Sequence, residues 1–74
     1  MRTLRFHEHL YSNRAIEESL QVFAEHAELE RRNAPPYIEI IVRPKDPATE
    51  ETLAGELVNY VLALTVEESR EGGQ

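Results

Sequence analysis

Two stretches of the chain alternate polar and apolar side chains with the period of a β-strand. Residues 3–7 show this alternation and predict a first, short strand. Residues 37–43 predict a second and stronger strand, because they are dense in β-branched side chains and place Ile38, Ile40 and Val42 on one face. Each strand therefore presents one apolar face to a core.

Two other stretches repeat apolar residues at helical spacing. The first predicts a helix from near Arg14 to about Arg32, with Ser12 as its N-cap and a proline pair after it that prevents continuation. The second predicts a helix that begins after Asp46, a suitable N-cap followed by proline, and runs to about Glu68. Both helices are long enough to cover a small sheet.

The predicted order of elements is β-α-β-α, an α+β fold (a small α/β sandwich) with two short strands packed against two helices. A right-handed crossover would make the two strands parallel neighbours. A sheet of two strands is too small to be stable alone, so we expect dimerisation to extend it. Residues 1–68 are predicted to form a single domain, and residues 69–74 a flexible C-terminal tail.

The second helix is apolar on two opposite sides. One side carries Leu53, Leu57 and Val61 and can close the core. The other side lies about 140–180° away, if each residue turns by about 100°. A chain of 74 residues can cover only one such side from within. We therefore predict an interface on the second side, formed by Gly55, Val58, Asn59, Leu62 and Val66.

The second strand offers another candidate contact. If its edge is free, an extended peptide or a partner strand could pair with it through main-chain hydrogen bonds. The residues predicted to bind a partner there are Tyr37, Glu39, Ile41 and Arg43.

Composition narrows the classes of partner. The formal net charge of −6 argues against nucleic acid and against anionic membrane surfaces, since both require a basic face. The chain has no cysteine, so it can form neither a disulfide nor a cysteine-ligated zinc site. The first residues lack the apolar segment of a signal peptide, and no apolar run reaches the roughly 20 residues that span a bilayer. The expected location is cytoplasmic.

Candidate chemistry is sparse. His7 and His9 would point the same way on a strand and could share a metal, which leaves a metal-dependent regulator as one alternative. Two ligands do not close a site, and His26 has no fixed relation to them in sequence. No nucleophile, acid pair or phosphate-binding loop has the required spacing. We therefore predict a protein that is not an enzyme, with no catalytic residue, no cofactor and no metal site.

Three segments resemble a known family. They are Leu10-Tyr11-Ser12 with Ala15-Ile16 and Phe23, residues 38–42, and residues 56–62. Together they resemble HxsD-like proteins, small partners in His-Xaa-Ser peptide-maturation systems encoded beside radical SAM enzymes. The resemblance covers residues 4–68, although Leu57 stands where that family more usually has phenylalanine. It implies a non-catalytic accessory protein that binds a peptide or a partner protein.

The alternative likeness is to the Pcc1-like structural dimerisation subunit of the complex that makes threonylcarbamoyladenosine in tRNA. That family has a further strand between Val42 and the last helix, and residues 44–48 are too few to form one. Both likenesses agree on association, with a second copy as a homodimer or with a protein or peptide partner.

Overall fold

The computed structural model describes residues 1–72. A three-stranded antiparallel sheet of order β1-β3-β2 packs one face against two helices. In chain order the elements are β1 (Arg2–His7), α1 (Asn13–Val22), β2 (Ala27–Ala34), β3 (Tyr37–Pro44), a single 3-10 turn (Pro47–Thr49) and α2 (Glu50–Gly72). The α+β class is confirmed, but the order of elements is β-α-β-β-α rather than β-α-β-α.

The additional strand is β2, which lies where the sequence predicts the second half of a long first helix. The helix instead ends at Val22, and a turn follows before β2 begins at Ala27. Residues 27–32 also fit a strand, since Ala27 and Leu29 alternate with charged residues. As a strand this segment pairs with the whole of β3, so tertiary pairing outweighs its helix propensity.

The strand directions also differ from the prediction. The β1 and β3 strands are neighbours but run antiparallel, with Leu4 opposite Ile40 and Phe6 opposite Ile38. The predicted parallel arrangement is wrong because β2 reverses the chain before β3 begins. No dimer is therefore needed to give the sheet a third strand.

The core lies between the sheet and the helices. Ile16 of α1, Ile40 of β3, and Leu57 and Val61 of α2 are all fully buried in one cluster. Phe23 packs edge-on against the Tyr60 ring at a centroid distance of 5.8 Å, which joins the end of α1 to α2. The core side of α2 is thus the side predicted from its leucine spacing.

Both predicted capping residues form cap hydrogen bonds, but Asp46 caps the 3-10 turn that precedes α2 rather than α2 itself, which begins at Glu50. The Ser12 hydroxyl accepts a hydrogen bond from the Ala15 N–H, and an Asp46 carboxylate oxygen accepts one from the Ala48 N–H. The far end of α2 differs from the prediction, because the helix continues beyond Glu68 to Gly72. Residues 69–72 are therefore helical, and the rest of the predicted tail, residues 73–74, lies outside the described residues.

Candidate association surface

Most of the second side of α2 is exposed. Leu62 and Val66 each keep 46% of their surface exposed, while Val58, one turn earlier, is half-buried against the core. Gly55 and Asn59 are exposed beside them. A Cβ placed on Gly55 would meet nothing within 4 Å among the described residues, so this part of the helix backbone is open to a neighbour. We call the five residues, all uncharged, the α2 stripe.

The α2 stripe borders β1. Gly55, Val58 and Asn59 line a shallow groove whose opposite wall is formed by Arg2 and Leu4. Glu51 and Ala54 complete the lining of the groove. Because Leu62 and Val66 follow Val58 at intervals of four residues, they continue the same side of the helix. The apolar helix face and the first strand therefore form one surface.

The outer edge of β1 is unpaired within residues 1–72, since the sheet order places β1 at one end. The Glu8 N–H donates to the Pro36 carbonyl at 2.9 Å, which continues the ladder between β1 and β3. The backbone N–H and C=O groups of the even-numbered residues of β1 therefore point toward β3. Those of Thr3 and Arg5 point toward the unpaired edge. Sequence reasoning missed this edge because it assigned the free edge to β3.

The β3 strand is the central strand and has no free edge. It pairs with β1 on one side and with β2 on the other along nearly its whole length. The predicted addition of a peptide to its edge is therefore wrong. The four residues proposed for that role lie instead on the sheet face opposite the helices, and they are Tyr37, Glu39, Ile41 and Arg43.

That uncovered face carries a network of charged side chains. Arg5 Nε donates to Glu39 Oε2 at 3.1 Å, and the Arg5 guanidinium lies 5.6 Å from the centre of the Tyr37 ring. Ile41 lies directly opposite Thr3 of β1 and Glu30 of β2, yet only 4% of its surface is exposed. Long polar side chains can cover an apolar residue with their aliphatic stems. The uncovered face is therefore a polar surface over one buried isoleucine.

Glu30 belongs to the same network. Its two carboxylate oxygens accept hydrogen bonds from Arg32 at 3.1 Å and Arg43 at 3.2 Å. The hydrogen bond from Arg32, followed by that from Arg43, lowers the pKa of Glu30 below its ordinary value. Arg32 and Arg43 are thus paired with Glu30 on this face.

The histidines do not converge on one site. The rings of His7 and His9 lie 5.4 Å apart, and the His9 N–H donates to His7 Nδ1 at 3.2 Å. The main chain of His26 pairs with Lys45 at the opposite end of β3, far from the end that His7 occupies. Within residues 1–72, no group of three metal-ligating side chains is close enough to hold an ion.

A further cleft lies between α1 and α2. The cleft between α1 and α2 is lined by Arg14 and by the acids Glu18, Glu67 and Glu68, with Arg14 Nε 3.9 Å from a Glu68 oxygen. This is an exposed ion pair beside acids, with no nucleophile among its lining residues. The surface that stands out is therefore the α2 stripe with the β1 edge.

None of the helices described in residues 1–72 combines the length and the apolar character needed to cross a membrane. Comparison with known protein families, curated proteins and solved structures finds no match. The HxsD-like resemblance thus remains an expectation, and the geometry of the α2 stripe and the β1 edge is the stronger guide to function.

Proposed function

We propose that this protein is a non-catalytic association module that self-associates through the α2 stripe. The observation that carries the proposal is the half-exposure of Leu62 and Val66 on a helix whose opposite side already closes the core. Burying an exposed apolar side chain is favourable by about 25 cal/mol for each Å² removed from water. A second copy supplies an equally apolar surface with which to do so.

The charge distribution supports the same choice. The stripe has no charged residue from Gly55 to Val66, whereas Glu51 lies on the same side one turn before Gly55, and Glu56 and Glu67 lie further around the helix. Interface cores are depleted of charge and surrounded by polar residues. The whole chain carries a net charge of −6, so two copies repel each other, and contact through an uncharged patch avoids adding close pairs of like charges.

A pair of charge substitutions tests the proposal. Leu62→Glu places a carboxylate in the α2 stripe, and Val22→Glu is a matched control, since Val22 is 45% exposed on α1 compared with 46% for Leu62 on α2. We expect Leu62→Glu to lower the sedimentation mass to that of the monomer, while Val22→Glu keeps the wild-type mass. Far-ultraviolet circular dichroism verifies that both variants are folded. Equal masses for both variants would refute the α2 stripe as the interface.

The HxsD-like resemblance suggests where such a module acts. We propose an accessory role in a peptide-modification system that contains a radical SAM enzyme, in which the dimer binds the peptide or the enzyme. The same surface would serve a structural dimerisation subunit of a larger complex. Gene neighbourhood separates the two: an adjoining radical SAM gene supports the first, and its absence from every genome that carries this protein contradicts it.

A further inference from the structure

We infer that two copies of this chain pair antiparallel along their β1 edges, with the twofold axis at Leu4, to form one six-stranded sheet. The inference rests on the proposed self-association through the α2 stripe and adds a second contact to it. The free edge of β1 and the stripe border one groove, so one symmetry operation can cover both.

The orientation of the peptide groups limits the possible registers. Only Thr3 and Arg5 direct both backbone groups outward without a local partner, since the His7 carbonyl already accepts from two N–H groups of the following turn. Antiparallel pairing must therefore place Thr3 opposite Thr3, Thr3 opposite Arg5, or Arg5 opposite Arg5.

The register that places Thr3 opposite Arg5 is the most favourable of the three. Arg5 opposite Arg5 puts like charges face to face, which is unfavourable. Thr3 opposite Thr3 places Arg5 opposite Met1, whose amino group is paired with Glu50, whereas Thr3 opposite Arg5 joins the outward groups of both residues on each side of the axis. In this register Leu4 lies opposite its own copy, on the helix-covered face, beside the groove that Val58 also lines.

The same pairing brings the two copies of α2 to contact distance. The helix α2 contacts both β1 and β3, so it lies above the space between them. With strands about 4.8 Å apart, its axis is then about 4.8 Å from the new twofold axis. The two α2 helices would be about 10 Å apart, close to the 8–10 Å of packed helices.

The contact between the helices fits the composition of the α2 stripe. The twofold axis makes the two α2 helices antiparallel and places their closest approach near Val58 and Asn59, beside Leu4. Leu62 of each copy then lies near Gly55 of the other, where the absence of a side chain leaves room. A bound peptide could pair with β1 but would leave Leu62 and Val66 exposed. A second copy covers Leu62 and places the first turn of its own α2 near Val66, and it is the occupant we infer.

Single cysteines test the register, because the natural chain has none. Across the twofold axis, the Cα atoms of Leu4→Cys would lie about 4.5 Å apart, within the range that a disulfide requires. In the Thr3→Cys variant, and likewise in the Arg5→Cys variant, the two cysteines of the dimer would be offset by two residues along the strands. Their Cα atoms would be more than about 7 Å apart, beyond that range. Under mild oxidation we expect a covalent dimer with Leu4→Cys, about tenfold more than with either control.

The outcomes separate the two proposals. Preferential linkage of Thr3→Cys or Arg5→Cys would overturn the Leu4 axis. A dimer that Leu62→Glu dissociates, but in which no cysteine links, would retain self-association and overturn the strand pairing. A protein that is monomeric and never linked would overturn both.

A proline variant tests the edge without a cysteine. The Thr3 N–H points away from β3, so Thr3→Pro removes an outward donor and leaves the internal ladder complete. We expect loss of the dimer with an unchanged far-ultraviolet spectrum. A folded Thr3→Pro variant with the mass of the wild type would contradict pairing through β1.

Discussion

Two leucines five residues apart in α2 allow a direct test of which side of the helix forms the core. Leu57 is fully buried, whereas Leu62 keeps 46% of its surface exposed. Truncation of either residue to alanine removes the same atoms, and alanine is favourable in a helix. Any difference in the free energy of unfolding therefore reports the environment of the side chain.

The expected magnitudes differ severalfold. Leu57→Ala removes a buried side chain and leaves a cavity, at a cost of about 2–5 kcal/mol. Leu62→Ala in the monomer loses roughly half of the 1.5–3 kcal/mol that full burial of a leucine provides, or about 1 kcal/mol. A chain of 74 residues has a total stability of roughly 4–11 kcal/mol. Leu57→Ala can thus remove half of the stability of the fold.

Urea denaturation followed by circular dichroism at 222 nm measures both variants, since the chain has no tryptophan to serve as a fluorescence probe. Measurement at low protein concentration isolates the monomer. At high concentration the cost of Leu62→Ala should rise, because a dimer stabilises the folded state by mass action, while the cost of Leu57→Ala should change less. If Leu57→Ala costs no more than Leu62→Ala at low concentration, the assignment of the two sides of α2 is wrong.

Substitutions at three further positions give graded expectations. Ser12→Ala should lower the free energy of unfolding by about 1 kcal/mol in a melting curve, because it removes the N-cap of α1, while Ser12→Gly should cost only a few tenths. Gly55→Ala should raise the stability of the monomer by about 0.5–1 kcal/mol and shift the urea midpoint upward, since the new methyl group meets nothing and the helix backbone loses less entropy. The pKa of Glu30 is lower in the folded protein than its unfolded value of about 4.3, because Glu30 is paired with Arg32 and Arg43. This pairing therefore stabilises the fold at a pH above the unfolded pKa, and the stabilisation is lost as the pH falls through the folded pKa. Wild type should therefore lose stability more steeply than Glu30→Gln between about pH 5 and 3, and equal slopes in acid titration would contradict the pairing.

The sequence predicts those elements in which the local pattern and the tertiary structure agree. The alternation of residues 37–43 predicts β3 correctly, and the capping residues Ser12 and Asp46 form cap hydrogen bonds. The two sides of α2 can be separated by spacing alone, since Leu57 is buried and Leu62 is exposed. Each of these features depends on residues close together in the chain.

The β2 strand could not be predicted in the same way. Its residues are good helix formers, and Ala27 and Leu29 fit the helical spacing of the preceding segment as well as they fit a strand. The decision depends on pairing with β3, a separate strand that offers a complete edge along the whole of β2. Because the prediction lacked β2, it placed β3 at an edge of the sheet and did not identify the free edge of β1.

The central claim is that the α2 stripe is an interface between two copies, and solution mass across a concentration series tests it most directly. We predict that the wild-type mass rises from the 8.5 kDa of one chain toward twice that value, while Leu62→Glu stays at 8.5 kDa and Val22→Glu follows the wild type. A wild type that remains at 8.5 kDa at every concentration, or a Leu62→Glu variant that still dimerises, would contradict the claim.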